Sequence, residues 1–176
     1  MIVFFVRNRF NLFDKGTWMA PFIRSALNHD NRRNGEPKLR YNHVVICVNE
    51  IVFEAGVNKK TGKPEVIQRP LYEWMEGRSA DSYYAFALNG YDYKKVFKDL
   101  VGELGKPYDF KAVLWHQLWF QITGKRLWIG HSKPNGKWYC SNIIAWVLDK
   151  NGILAFENPY KIDPEILWNR LQKNTK

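Results

Sequence analysis

The stretch RYNHVVICVNEIVFEAGVN, residues 40–58, constrains the fold more than any other part of the chain. Two apolar runs, Val44 to Val48 and Ile51 to Ala55, flank Asn49 and Glu50, the arrangement of a β-hairpin with a two-residue turn. Asn suits the first turn position, although the Gly favoured at the second is absent. With this turn, Val48 pairs with Ile51, Val45 with Glu54 and His43 with Gly56. Side chains alternate along a strand, so His43 and Glu54 share one face as diagonal neighbours. Their backbones then lie ~7–8 Å apart, close enough for a carboxylate to meet an imidazole. A slip of one residue would send Glu54 to the opposite face. An unpaired carboxylate inside IVFEA would be costly, and a role in orienting His43 accounts for it. The alternatives are a strand-end carboxylate reaching solvent and a hydrogen-bonded core histidine.

Other segments fill in a mixed α+β architecture. Met1 to Val6 is rich in Ile, Val and Phe, as expected of a strand covered on both faces. Short strands are expected around Val66 and Ile67 and from Tyr83 to Leu88. The spacing of Val96, Phe97, Leu100, Val101 and Leu104 predicts a helix over Tyr93 to Leu104, closed by Gly105 and Pro107. TWMAPFIRSAL, Thr17 to Leu27, and FKAVLWHQLWFQIT, residues 110–123, also read as helices, with a loop from Asn28 to Arg40. IDPEILWNRLQK opens with an Asp cap and a Pro in the first helical position. No repeat, linker or low-complexity tract divides the chain, which is read as one domain over residues 1–176.

The second informative stretch is KWYCSNIIAWVLDKNG. Ile143, Ile144, Val147 and Leu148 follow Cys140 at helical spacing, which places the thiol on the core side of the first helical turn. Free backbone amides and the helix dipole stabilise a thiolate there, whereas burial raises a thiol's pKa. Cys140 is therefore either a nucleophile or a small buried hydrophobe. Of the four histidines, His29, His43, His116 and His131, only His43 sits at the edge of a strand pattern. Cys140, His43 and Glu54 thus supply the nucleophile, base and orienting group of a thiol enzyme working through a thioester. Cys47, at a strand centre on the same predicted face as His43, reads as core filler.

Composition limits the remaining classes. Two cysteines in 176 residues do not make a disulfide framework. His116 and His131 lack metal-ligand spacing, and no phosphate-cradling glycine motif is present, so neither a metal nor another cofactor is expected. The opening MIVFFVRNRF lacks the apolar length and cleavage site of a signal peptide, and no apolar stretch is long enough to span a membrane. A soluble protein is expected, cytoplasmic, released or virion-associated. The net charge of +10 suits an anionic partner such as a cell-wall polymer, lipid headgroups or, less favoured because the charges are scattered, nucleic acid.

Taken in order, YNHVVICV, IVFEAG and WYCSNIIAWVLDKNGI resemble the circularly permuted papain-like hydrolases, the group that includes lecithin retinol acyltransferase-like and YiiX-like relatives of NlpC-type cell-wall peptidases. GKPYDF and IDPEILW resemble the segments that precede the cysteine helix and close the domain. His43 comes 97 residues before Cys140 (140 minus 43), the reverse of the ordinary papain-like order. The resemblance implies a mainly antiparallel sheet packed against the cysteine helix, with Cys140 as nucleophile, His43 as base and Glu54 as orienter. It implies a peptide or acyl substrate, cell-wall peptide amides first. Tyr41 and Tyr108 are candidate groove residues, or else rings packed over a helix. A lipid-directed acyltransferase or thioesterase would need apolar surface such as Trp115, Trp119 and Trp128. A binding or virion structural module is the non-enzymatic alternative. The loop from Asn28 to Arg40 and the aromatic, basic segment 110–138 have no counterpart in the family pattern.

Overall fold

The computed structural model describes residues 1–7, 41, 43–109 and 136–174. The expected helices at Thr17 to Leu27 and residues 110–123, the loop from Asn28 to Arg40 and Trp115, Trp119 and Trp128 lie outside them, as do His29, His116 and His131.

An antiparallel sheet organises the described residues. Strands β1 (Ile2–Val6), β2 (His43–Val48), β3 (Ile51–Val57), β4 (Pro64–Pro70) and β5 (Tyr83–Ala87) form five strands in the order β4-β3-β2-β1-β5. The β2–β3 register is the one the sequence dictates: Val48 opposes Ile51, Cys47 opposes Val52 and Ile46 opposes Phe53. Asn49 and Glu50 form the turn with φ of 49° and 63°. Those positive angles match the twist of a tight hairpin, and Glu50 adopts one without the freedom of glycine.

Both sheet faces are covered, and alternation assigns the side chains to them. Val3, Phe5, Val44, Ile46, Val48, Phe53 and Ala55 face the larger apolar cluster. Helices α2 (Tyr93–Val101), α3 (Cys140–Lys150) and α4 (Pro164–Asn174) complete it through Val96, Leu100, Ile143, Ile144, Val147, Leu148, Leu167 and Leu171. The other face carries Phe4, Val6, Val45, Cys47 and Val52, packed on Trp74 from α1 (Leu71–Met75). β1, paired with β2 and β5, is buried on both sides as its apolar run predicts.

Four expectations need correction. Helix α2 ends at Val101 rather than Leu104, because the chain beyond it is drawn to the edge of β4. There, the Gly105 amide donates to the Val66 carbonyl at 2.9 Å and the Val66 amide to Lys106 at 2.8 Å. Val101, expected on the apolar face, is 41% exposed while Val96 and Leu100 are fully buried. Strand β5 stops at Ala87, one residue short, and α1 arises in a charged segment for which no element was expected. At α4, by contrast, Asp163 caps as anticipated, its carboxylate accepting from the Ile166 amide at 2.7 Å.

Candidate functional site

His43 is the first residue of β2, opposite Val6 on β1. The hairpin register carries Glu54 to its side, and His43 Nε2 lies 3.0 Å from Glu54 Oε2. Glu54 is 5% exposed, so its charge must be met by partners within the protein. The sequence reading missed one of them: Arg69 on β4, whose guanidinium donates to Glu54 Oε1. In the β3–β4 ladder Glu54 opposes Ile67 and Val52 opposes Arg69, so Glu54 and Arg69 are diagonal neighbours on one face. The signal was present in VIQRP, a short strand with a cation two residues past its apolar centre, but only the β3–β4 register pairs it with Glu54.

Cys140 arrives from the opposite side of the sheet as the first residue of α3. Three bonds pin this helix start. Asn142 Oδ1 accepts from the Tyr139 amide at 2.8 Å, Ser141 Oγ donates to the Ile162 carbonyl at 2.6 Å, and Tyr139 Oη donates to the Tyr160 carbonyl at 3.3 Å. The thiol is buried, 6% exposed, and lies near enough to His43 to help raise the pKa of the imidazole. His43 stands at the end of its strand, bonded to Glu54 and within range of the Cys140 charge.

The electrostatics follow from that placement. Burial disfavours a charged His43, but hydrogen bonds and charge from Cys140 and Glu54 outweigh it and raise the imidazole to about 9. Burial pushes Glu54 up, yet the hydrogen bond and charge of His43 and the charge of Arg69 hold it at about 2. Burial and the nearby Cys140 charge push the Tyr108 hydroxyl well above its ordinary value. Burial and the charges of Asp163, Cys140 and Asp109 do the same to Tyr139. Both phenols stay protonated beside the thiol.

The two tyrosines named from sequence occupy different places. Tyr108 bridges in parallel to Trp138, two residues before Cys140. Tyr41 stacks on Trp168 of α4 with ring centroids 5.4 Å apart. Cys47 is 4% exposed in the smaller cluster, and burial raises its thiol pKa.

Among the described residues, no group of three His, Cys, Asp or Glu side chains could hold a metal ion. No described helix is long and apolar enough to cross a membrane. A groove of about 410 Å³ runs along β4 beside Arg69, lined in part by Lys59, Lys60, Gln68 and Glu73, and does not include Cys140. No family model, curated protein or solved structure matches the chain.

Proposed function

We propose that the chain is a thiol hydrolase of the permuted papain-like kind, with Cys140 as nucleophile, His43 as general base and acid, and Glu54 as the group that orients the imidazole. The observation that carries this reading is the position of His43, bonded to Glu54 through Nε2 and acted on by Cys140. With Nε2 committed to Glu54, Nδ1 is the nitrogen left for the thiol. An imidazole raised to about 9 keeps a proton on His43 at neutral pH, the form that can pair with a thiolate.

The Cys140 thiolate then attacks an amide carbonyl, and the resulting oxyanion is stabilised by backbone amides at the start of α3. As the C–N bond breaks, the His43 imidazolium gives its proton to the leaving amine, which departs and leaves a thioester. Neutral His43 next takes a proton from water as the oxygen attacks the thioester carbonyl. Breaking the C–S bond releases the carboxylic acid and returns the thiolate–imidazolium pair. Amides of cell-wall peptides are the proposed substrate class, since a net charge of +10 draws the protein to an anionic wall.

The test is the alkylation rate of Cys140 and Cys47 against pH, read separately by peptide mass spectrometry, in the parent and in His43→Ala. Rapid reaction of Cys140 well below the ordinary thiol pKa, lost in His43→Ala, is expected. Equal, slow reaction of both cysteines with no effect of His43→Ala would refute the reading.

A further inference from the structure

Glu54 has two oxygens, and the hydrolase reading uses one. Oε2 faces His43 at 3.0 Å, while Oε1 accepts from the guanidinium of Arg69. A carboxylate that is 5% exposed would be free to turn or take up a proton if Oε1 lost its partner. A guanidinium presents rigid, permanently charged donors, which fix a carboxylate's plane as well as its charge. The Arg69 side chain is 18% exposed, and its Nε is buried without a partner among the described residues. Its bonding is directed at Glu54.

The second nearby cation is otherwise engaged. Arg78 lies 4.4 Å from the ring centroid of Trp74 and donates through Nε to the Trp74 carbonyl at 2.9 Å. It feels the charges of Glu54 and Arg69 without an ion pair to Glu54. The titratable and charged groups around the cluster are therefore His43 from β2, Arg69 from β4, Arg78 beyond α1 and Cys140 from α3. Tyr108 and Tyr139 gather around the thiol, with Asp109 and Asp163 beside Tyr139.

We propose that Arg69 is a positioning residue, a fourth member of the site, which holds Glu54 against His43 and so sets the pH window in which Cys140 and His43 form an ion pair. The inference rests on the hydrolase reading for its meaning, but its physical content is the coupling of Arg69 to His43 through Glu54. Without the guanidinium, Glu54 stabilises the imidazolium less. The imidazolium is then lost at a lower pH. The window narrows from its alkaline side. Removing a positive charge that merely repels the imidazolium would widen it, so the direction separates the two roles.

The experiment uses the full chain as parent, Arg69→Met and Arg69→Lys, with folding checked by circular dichroism. Iodoacetamide alkylation of Cys140 is followed across pH, and the His43 ring is titrated by NMR. In Arg69→Met the His43 titration, which marks the alkaline limb, is expected to fall by about one pH unit, roughly a tenfold loss of imidazolium above its midpoint. Arg69→Lys keeps the charge without the fork and is expected to fall between. A profile unchanged or widened in Arg69→Met overturns the inference. Should Arg69→Met fail to fold, Arg69→Lys carries the test: a smaller narrowing supports it, an unchanged or widened profile overturns it. If the parent shows no His43-dependent reactivity at Cys140, the hydrolase reading fails. The His43 titration then still decides the coupling: a lower imidazole pKa in the Arg69 variants upholds it, and an unchanged one overturns it.

Discussion

The two cysteines are buried almost equally, Cys47 at 4% and Cys140 at 6% exposure, yet their surroundings differ in kind. Cys47 sits mid-strand among Phe4, Val6, Val45, Val52 and Trp74. Its pKa is raised by burial, which outweighs the opposing backbone hydrogen bond at Glu50 and the N-terminal charge. Cys140 begins a helix beside an imidazole that is itself bonded to an ionised carboxylate. Burial alone makes a thiol inert; burial beside a group that can take its proton makes it a candidate nucleophile. The difference lies in the neighbours.

Removing Glu54 should break that contrast most strongly. Glu54→Ala leaves Arg69 and His43 without their shared anion, at an expected cost of about 3–5 kcal/mol in stability, seen as a lower urea midpoint. Under conditions where the variant remains folded, Cys140 should lose on the order of a hundredfold in alkylation rate at mildly acidic pH, while Cys47 does not change. A Cys140 that kept its lead over Cys47 would show that His43 works without its carboxylate.

The pH dependence of stability comes next in size. Glu54 is lowered from 4.5 to about 2 in the folded protein. Its contribution, on the order of 3 kcal/mol, is complete above pH 4.5 and is lost as pH falls through 2. His43 is raised from 6.5 to about 9, so its contribution is complete below pH 6.5 and is lost as pH rises through 9. Urea midpoints measured across this range should decline on both sides. Cys140→Ala should soften the alkaline decline by removing one of the two groups that favour the imidazolium. An alkaline limb that is the same in Cys140→Ala would detach Cys140 from His43.

Cys47→Ala sharpens the comparison from the other side. It trims one small group from a packed cluster, for about 1 kcal/mol, and the alkylation profile of Cys140 should be unchanged. A shifted profile would mean that the two thiols are coupled through the sheet. The smallest effect is expected at the hairpin that brings His43 to Glu54. Glu50 holds a φ of 63°, so Glu50→Gly should stabilise by roughly 0.5 kcal/mol, measured by urea unfolding. A loss of stability there would show that the Glu50 side chain holds the turn in place.

What the sequence determined by itself is local. The spacing of Val44 to Val48 and Ile51 to Ala55 around Asn49 and Glu50 set the hairpin register, because a period of two leaves one face for each side chain. His43 and Glu54 were therefore legible as partners. The apolar spacing after Cys140 and the Asp163-Pro164 start were legible for the same reason: helix periodicity and capping involve residues only a few positions apart. Tertiary structure decided what depends on distant segments. Arg69 meets Glu54 only because β4 pairs with β3, the chain past α2 leaves the helix where residues 105–106 join the edge of β4, and α1 forms where Trp74 covers the second face. The meeting of Cys140 with His43, 97 residues apart (140 minus 43), is of this second kind. Local patterning places each residue on its own element, and only packing of the elements brings a helix start to a strand end.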